Sequence, residues 1–294
     1  MSQKLRIEKF LKKKQHELSA FSFVSIFLWK DFFDFELKEI DGALCVFAKN
    51  NVGCFMYLPP LGKNLSNATV AECFKIMSGH NKGSGVSRIE NVTQEDLPLF
   101  PAAEYTHFEK SGEYVYTKDD IASLKGNPFK SKRALYNYFV QNYSSSFVPF
   151  ENSMHQECAA LYREWADERR TQNRDDVYRQ MLEENEKVHS LALKNFDMLG
   201  LMGRVVLVEG KIRAYSFGFP LNDEMFCVLF EVADLSFKGL PVFIFKEFCA
   251  DPALKQFKFI NVMDDFGLEN IRATKLSFRP IKVIPSYVIS RKGK

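Results

Sequence analysis

The sequence has no hydrophobic run long enough to cross a lipid bilayer. The longest uncharged stretch near the N-terminus extends from Leu18 to Trp29, whereas a membrane-spanning helix needs about 20 apolar residues. The residues before it mix both signs of charge and include Glu8 and Glu17, unlike a secretory signal peptide. We therefore predict a cytoplasmic protein, in which the Lys12-Lys13-Lys14 cluster is either a solvated surface or a peripheral membrane contact.

The sequence also lacks the cysteine and histidine spacings that bind zinc. None of its six cysteines forms a Cys-x-x-Cys pair, and its five histidines show no ligand spacing. Four of the cysteines lie in apolar surroundings, such as Cys45 between Leu44 and Val46, where a buried reduced thiol is typical. These features indicate a reducing compartment and predict neither a metal nor another cofactor.

Several enzyme motifs are missing as well. The glycine-rich stretch from Gly79 to Gly85 does not end in the Gly-Lys-Ser/Thr of a P-loop, and there is no Gly-x-Ser-x-Gly or His-Glu-x-x-His sequence. Asp265-Phe266-Gly267 matches a kinase triplet, but the chain has no His-Arg-Asp loop, which excludes a protein kinase.

Charge and aromatic content narrow the possible partners. The 40 basic and 37 acidic side chains leave a net charge of only +3, so duplex DNA is not predicted as a partner and any anion site must be local. The 29 phenylalanines are unusually many and predict aromatic-rich cores, because each buried ring removes a large apolar area from water. The sequence does not indicate an oligomeric state.

The two halves of the sequence present the same order of predicted elements. Each half gives a hairpin, a third strand, a helix, a strand, a helix and a closing strand. This order is the core of the N-acetyltransferase-like (GNAT-like) fold. We therefore predict an α+β protein of tandem GNAT-like lobes, each with a mixed, mostly antiparallel sheet flanked by helices. The first lobe is placed at residues 1–120, and the connector helices with the second lobe at residues 121–294.

The bounds of several elements follow from local signals. Asp41-Gly42 predicts a tight hairpin turn between strands Phe33–Ile40 and Ala43–Lys49. A helix is predicted from Ser19, as its cap, to Trp29. The final strand is predicted as one element from Ile281 to Ile289.

The segment from Ile121 to Phe150 contains no acidic residue but includes Lys125, Lys132 and Arg133. A helix is predicted to begin after Ser131, which places Lys132 and Arg133 in its first turn, where cations oppose the helix dipole. An anion bound at this helix N-terminus would resolve the conflict. A solvated basic turn over an aromatic core is the alternative.

A second candidate site is the strand-to-helix junction from Glu231 to Gly239. In an acyltransferase lobe this junction receives the pyrophosphate of the donor on backbone N–H groups. Here it holds one glycine rather than a glycine-rich loop, and Asp234 would repel a phosphate. Both features disfavour acetyl-CoA as the donor.

A third candidate follows the next predicted strand. Asp264 and Asp265 come just after Asn261, and Arg272 and Lys275 lie one turn apart on the following helix. A carboxylate there could accept a proton from an attacking amine. The alternative is an ion-paired helix start capped by Asp265.

These stretches together resemble one bacterial family, whose members are similar to the C-terminal catalytic domain of phosphatidylglycerol lysyltransferases. The similarity extends over nearly the whole chain, and its most specific part is the stretch from Leu124 to Arg133. Further matching pieces are Ser19 to Trp29, Tyr57-Leu58-Pro59-Pro60-Leu61-Gly62, Asn137 with Phe139, Trp165, Glu231 to Gly239, Asn261 with Asp264 to Gly267, and Arg272, Lys275 and Pro280.

The resemblance implies tandem acetyltransferase-like lobes and transfer of an aminoacyl group from a charged tRNA to an amine or hydroxyl acceptor. Together with the acid-free basic segment and the carboxylates at strand ends, it predicts Asp234 or Asp264 as the catalytic carboxylate that orients or deprotonates the acceptor. The ligand-binding residues would be Lys125, Lys132, Arg133, Asn137, Glu231, Asn261, Arg272 and Lys275. The chain lacks the transmembrane portion of the synthases, which leaves a lipid acceptor open. An acyl-CoA-dependent N-acyltransferase and a non-catalytic module that binds an anionic ligand are the alternatives.

Overall fold

The fold is taken from a computed structural model, which describes residues 3–63, 65–82, 85–110, 112–172 and 176–293. Within these ranges the α-helices are α1 (Gln3–Leu11), α2 (Phe23–Leu28), α3 (Asn67–Asn81), α4 (Lys118–Ser123), α5 (Lys130–Asn142), α6 (His155–Gln172), α7 (Asp176–Lys194), α8 (Phe196–Leu199), α9 (Leu240–Ala250) and α10 (Glu269–Leu276). Short 3-10 helices cover Gln94–Leu99, Asn127–Phe129, Asn152–Met154 and Pro252–Leu254.

The strands form two mixed sheets. They are β1 (Asp34–Ile40), β2 (Ala43–Lys49), β3 (Cys54–Met56), β4 (Arg88–Val92), β5 (Tyr105–Glu109), β6 (Glu113–Thr117), β7 (Ser145–Pro149), β8 (Met202–Val208), β9 (Lys211–Pro220), β10 (Met225–Ala233), β11 (Phe259–Asn261), β12 (Lys282–Ile284) and β13 (Tyr287–Arg291). One sheet has the order β1-β2-β3-β4-β13-β5, and the other has the order β12-β6-β11-β10-β9-β8-β7. Helices pack against both sheets, which confirms the predicted α+β class.

The predicted hairpin between β1 and β2 is confirmed. The two strands pair antiparallel from Asp34 with Lys49 to Ile40 with Ala43. Asp41 and Gly42 both have positive φ, at 50° and 76°, which is the backbone that a two-residue type I′ turn requires.

Two predicted elements differ from the structure. The helix predicted from Ser19 begins only after Ser22, whose Oγ accepts a hydrogen bond from the N–H of Ser25. The single final strand predicted from Ile281 is interrupted at Pro285 and Ser286. Its two pieces, β12 and β13, join different sheets. Their partner strands lie far away in the sequence, so local residue patterns do not predict this division. The predicted glycine-rich loop begins inside α3, and its residues 83 and 84 lie outside the described ranges.

Contacts divide the chain into two compact units. The first contains residues 1–113, 264–269 and 283–294, and the second contains residues 114–263 and 270–282. The chain therefore passes between the units at four places, whereas the sequence predicts a single boundary between residues 120 and 121. The two-lobe boundaries stay a prediction.

In the first unit, strand β2 is buried on both faces. Leu44 and Val46 pack in one core cluster, and Cys45 and Phe47 pack in another. Alternate residues of a strand point to opposite faces, so the two clusters lie on opposite sides of this sheet.

Ser19 anchors the N-terminal segment of the first unit to a buried carboxylate. Its N–H and its Oγ donate hydrogen bonds of 2.8 and 2.6 Å to the two carboxylate oxygens of Glu113. Both residues are buried, so each bond satisfies a polar group that water does not reach. Ser19 thus has a hydrogen-bonding role just before the helix that it was predicted to cap.

Helices α6 and α7 pack on one face of the second sheet and enclose His189. The His189 Nδ1 lies 2.8 Å from the Tyr215 hydroxyl oxygen, and its ring stacks on Phe230 at 3.7 Å. Burial lowers the pKa of His189 to about 3, because the charged imidazolium would lose its hydration. The ring is therefore neutral in the folded protein at neutral pH.

His189 makes the stability of the protein fall in acid. Below pH 6.5, the usual pKa of histidine, the unfolded chain binds a proton at this residue that the folded chain does not bind. The free energy of unfolding should decrease by up to about 1.4 kcal/mol per pH unit from this group as the pH falls from 6.5 toward 3. Urea unfolding at pH 7, 6, 5 and 4 measures the slope. His189→Gln should flatten it, whereas His80→Gln, at an exposed position, should leave it unchanged. Parallel slopes for wild type and His189→Gln would contradict this assignment.

Among the described helices, none combines the length and the apolarity that crossing a membrane requires.

Candidate functional site

A cleft opens in the second unit where strands β10 and β11 stop pairing. The two strands run parallel for three residue pairs, and the last pair is Cys227 with Asn261. Strand β10 then shifts register against β9 between Val228 and Phe230, and such bulges redirect the side chains that follow. Glu231 is the next residue, so it lies at the open end of the β10–β11 pair.

The cleft has a volume of about 230 Å³, and aromatic rings form much of its wall. The rings of Phe245 and Phe278 meet edge to face at 5.1 Å, and Tyr116 meets Phe245 at 5.9 Å. The complete lining is Tyr116, Val228, Leu229, Glu231, Phe245, Val262, Thr274, Lys275 and Phe278. Apolar walls with a few convergent polar groups are typical of small-molecule sites.

Glu231 is the acidic residue of this cleft. The side chain of Glu231 is exposed on the wall of the cleft, so its carboxyl group is partly withdrawn from bulk water. This partial desolvation raises the pKa of Glu231 to about 8, and the positive charges of Lys275 and Lys132 oppose the rise. A carboxyl group with a pKa near neutrality is suited to give and take protons.

Lys275 is fixed in place beside Glu231 by the main chain. Its Nζ donates hydrogen bonds of 2.5 and 3.1 Å to the carbonyl oxygens of Val262 and Met263, just after β11. The Tyr116 hydroxyl donates a 2.8 Å hydrogen bond to the carbonyl oxygen of Lys275. These bonds connect α10, β11 and β6, so the ammonium group is held in a defined position.

Lys132 supplies the second positive charge. It lies in the first turn of α5, and its Nζ sits 4.0 Å from the centre of the Phe278 ring, a cation–π contact. Desolvation lowers the pKa of Lys132, and the nearby Glu231 carboxylate opposes that change. The structure thus brings together three of the predicted ligand-binding residues, Lys132, Glu231 and Lys275.

The other predicted residues of the basic segment lie elsewhere. The Arg133 guanidinium donates hydrogen bonds to the carbonyl oxygens of Leu124 and Gly126, the latter at 2.5 Å. Lys125 and Asn137 are exposed, and neither lines the cleft. The cation of Arg133 is therefore paired with main-chain carbonyls of the preceding turn.

Asp234, predicted as a catalytic carboxylate, is engaged in local contacts. One oxygen pairs with Arg213 at 3.1 Å, and the other accepts hydrogen bonds from the N–H and the hydroxyl of Ser236. It does not line the cleft. Asp234 therefore stabilises the turn that follows β10.

The start of α9, where the donor pyrophosphate would bind in an acyl-CoA enzyme, is covered by α5. Gly239 precedes this helix at a φ of +92°, and a Cβ atom there would overlap the carbonyl oxygen of Leu135. Such close approach is possible only without a side chain. Helix α5 therefore lies directly against Gly239, at the start of α9.

The third predicted group is divided between the two units. Asn261 is fully buried in the second unit, and its Oδ1 accepts a 2.7 Å hydrogen bond from the N–H of Met263. Asp264 is half-buried and belongs to the first unit. Asp265 is buried and accepts a 2.9 Å hydrogen bond from the N–H of Gly267. Arg272 is exposed. The predicted functional roles of Asn261, Asp264 and Arg272 stay predictions.

Sequence reasoning missed Tyr116, Phe245, Thr274 and Phe278. Three of them are aromatic, and in a chain with 29 phenylalanines a ring on a strand or helix indicates core rather than a site. Tyr116 is more than a hundred positions from Glu231, so no local pattern connects the two. Phe278 follows directly on the predicted helix that carries Arg272 and Lys275. This closeness in sequence to two predicted site residues is the signal that could have identified Phe278.

A larger groove, of about 670 Å³, lies in the first unit. Its walls are mainly apolar and aromatic, including Phe23, Phe27 and Phe33. Among its charged residues, Lys30 and Asp31 pair with each other at 2.8 Å. The smaller cleft is lined by Glu231, whose pKa is near neutrality, and by Lys275, and Lys132 contacts Phe278 of its wall. We therefore place the candidate chemistry there.

Comparison with known proteins identifies relatives in sequence and in fold. The model of the family described as phosphatidylglycerol lysyltransferase, C-terminal, matches residues 12–290. No curated protein matches the sequence. A solved protein of unknown function from Bacteroides thetaiotaomicron is 26% identical with a TM-score of 0.87, and the match covers 98% of this chain and 96% of that one.

Two further solved structures show the fold. L-PGS from Bacillus licheniformis is 19% identical with a TM-score of 0.66, covering 99% of this chain and 92% of that one. A tandem GNAT protein from the clavulanic acid biosynthesis pathway is 9% identical with a TM-score of 0.50, covering 99% and 94%. These likenesses confirm the predicted tandem GNAT-like fold.

Proposed function

This chain belongs to the family of phosphatidylglycerol lysyltransferase C-terminal domains, and from that premise we propose that it transfers an aminoacyl group from a charged tRNA to an amine or hydroxyl acceptor. The single observation that carries the proposal is the cleft that Glu231 and Lys275 line, with Lys132 in contact with Phe278 of the cleft wall. The aminoacyl ester is already activated, so the protein needs to position it, stabilise an oxyanion and remove a proton.

In the proposed reaction Glu231 acts as the general base. It accepts the proton from the acceptor amine or hydroxyl as that atom attacks the ester carbonyl. The new amide or ester bond forms, the bond to the terminal ribose oxygen of the tRNA breaks, and the proton passes from Glu231 to that leaving oxygen. Glu231 is thereby regenerated, and no other reactant is consumed.

The two lysines have different parts in this proposal. Lys275 is bound to two main-chain carbonyls and so contributes a fixed positive charge. Lys132 makes a cation–π contact with Phe278, which leaves its N–H groups available to a negatively charged oxygen of the tetrahedral intermediate. Two positive charges beside one carboxylate also suit an anionic donor.

The start of α9 favours this donor over acyl-CoA. Helix α5 covers the position that would bind a pyrophosphate, and the carboxylate of Asp234 lies in the same junction. A terminal adenosine ester does not need a pyrophosphate site there. The assignment of Asp234 or Asp264 as the catalytic carboxylate stays a separate prediction, tested by the same assay.

The test is an assay with charged tRNA as the donor. The purified protein is incubated with a mixture of aminoacyl-tRNAs and with amine or hydroxyl acceptors, and the products are identified by mass spectrometry. Lys132→Gln should lower kcat/KM about 100-fold, as expected for loss of one oxyanion donor. Lys130→Gln, two positions away at an exposed site of the same helix, is the matched control and should retain activity.

Three outcomes would overturn the proposal. Product formation with acyl-CoA donors and a melting temperature raised by CoA would identify an acyl-CoA enzyme. Binding of charged tRNA without product from any donor would identify a non-catalytic module. Equal activity of Lys132→Gln and Lys130→Gln would show that the active site lies outside this cleft.

A further inference from the structure

Ser216 carries a buried hydroxyl group that makes no hydrogen bond within the described part of the chain. The residue lies on β9 and is fully buried, and its Oγ has no partner among the described residues. Leaving a buried hydroxyl unpaired is unfavourable, and most such groups in native proteins are satisfied. The Ser216 hydroxyl is therefore available to donate a hydrogen bond to an acceptor within its reach.

The position of Ser216 identifies the group that it would meet. In the antiparallel pair of β9 and β10, Ser216 is directly opposite Glu231. Directly opposed residues point to the same face of the sheet, with Cβ atoms roughly 4.5–5.5 Å apart. A serine hydroxyl and a glutamate carboxylate at this spacing are within reach of a hydrogen bond, directly or through one water.

The neighbour of Ser216 on its other side is already engaged. Arg204 on β8 is opposite Ser216, but its guanidinium donates to the Asp251 carboxylate at 2.5 Å and to the Gly203 carbonyl at 3.0 Å. An arginine also has no acceptor for the hydroxyl proton. The carboxylate of Glu231, by contrast, accepts no hydrogen bond from any of the described residues.

We propose that Ser216 is a positioning residue for Glu231, whose hydroxyl donates a hydrogen bond to the ionised carboxylate, directly or through one water. The inference rests on the role of Glu231 in the proposed function. A hydrogen bond to the charged form of a carboxyl group favours that form, so Ser216 helps to keep Glu231 ionised and directed along the cleft for proton transfer.

Several other groups face Glu231 and set the background for this effect. Lys132 on α5 and Lys275 on α10 favour the ionised carboxylate. Tyr116 on β6 and Cys249 on α9 are neutral groups whose own pKa values are raised by burial, with the Glu231 charge adding to the rise. None of these residues changes in Ser216→Ala, so the variant isolates the hydroxyl.

The test is the pKa of Glu231, measured in the free protein by 13C NMR titration of its side-chain carboxyl carbon. The signal is assigned by its absence in Glu231→Gln. Ser216→Ala should raise the pKa of Glu231 by about one unit, and Ser216→Thr, which keeps the hydroxyl, should restore it. Ser146→Ala, at an exposed position on β7, should leave it unchanged.

One result of this titration would overturn the inference. If Ser216 is only an unpaired core hydroxyl, Ser216→Ala should increase the free energy of unfolding and leave the pKa of Glu231 where it is, which would overturn the inference. Because the titration needs no substrate, the two proposals fail separately. A shifted pKa in a protein without transferase activity would support the Ser216–Glu231 contact and reject the proposed function. Transfer activity that depends on Glu231, together with a pKa of Glu231 that Ser216→Ala does not change, would support the proposed function and reject the Ser216–Glu231 contact.

Discussion

Glu231→Gln is expected to lower kcat/KM for aminoacyl transfer by roughly 10²–10⁴-fold, the usual contribution of a general base. Glutamine has nearly the same size as glutamate but cannot accept the proton of the attacking group. The cleft walls should be preserved, because none of the described residues donates a hydrogen bond to the carboxylate of Glu231. The loss should therefore appear in kcat rather than in the melting temperature.

The pH profile gives an independent measurement of the same role. A base must be ionised to act, and the pKa of Glu231 is raised to about 8. In wild type, kcat/KM should increase about tenfold per pH unit below pH 8 and level off above it. Glu231→Gln should lose this dependence on ionisation.

Glu224→Gln is the matched control for this substitution. Glu224 lies just before β10 and pairs with Lys258 at 2.5 Å at an exposed position, where an ion pair contributes little. The kcat/KM and the pH profile of the Glu224→Gln variant should equal those of wild type. Wild-type activity in Glu231→Gln, or a pH profile with no rise toward pH 8, would reject Glu231 as the base.

The sequence predicts those parts of the fold that depend on neighbouring residues. The Asp41-Gly42 turn is recognised because its backbone requirement is met by the two residues themselves. The final strand is different. The residues from Ile281 to Ile289 are mostly apolar but include Pro285 and Ser286, where the structure divides them. What the sequence does not show is the pairing of the two pieces: β13 lies between β4 and β5, whereas β12 pairs with β6. Such partners are set by distant residues, which local propensity does not describe.

The candidate site was likewise predicted from the sequence only in part. Lys132 and Lys275 were predicted from charges placed near helix ends, and Glu231 from a resemblance at a strand-to-helix junction. Arg133 shows the limit of the charge argument. A cation at a helix N-terminus predicts an anion as its partner, but the structure gives Arg133 two carbonyl oxygens at the end of the preceding turn. Carbonyl acceptors carry no sequence signature, so they could not be predicted.

Gly239→Ala is expected to reduce the free energy of unfolding by about 2–5 kcal/mol. Two costs add: an alanine at a φ of +92° is strained, and its Cβ would overlap the Leu135 carbonyl and approach Phe139 Cβ to 3.1 Å. The backbone of α5 would have to move away from α9. Because α5 carries Lys132, that movement should also lower kcat/KM in the molecules that remain folded.

Gly210→Ala separates the two costs. Gly210 has a similar positive φ of 76° in the turn between β8 and β9, and a Cβ there would meet nothing within 4 Å. It should cost only about 1 kcal/mol and leave kcat/KM unchanged. Urea unfolding of both variants measures the difference. If the two alanines cost the same, steric contact between α5 and α9 contributes nothing. The cover over the start of α9, which argues against an acyl-CoA donor, would then be loose enough to admit a pyrophosphate.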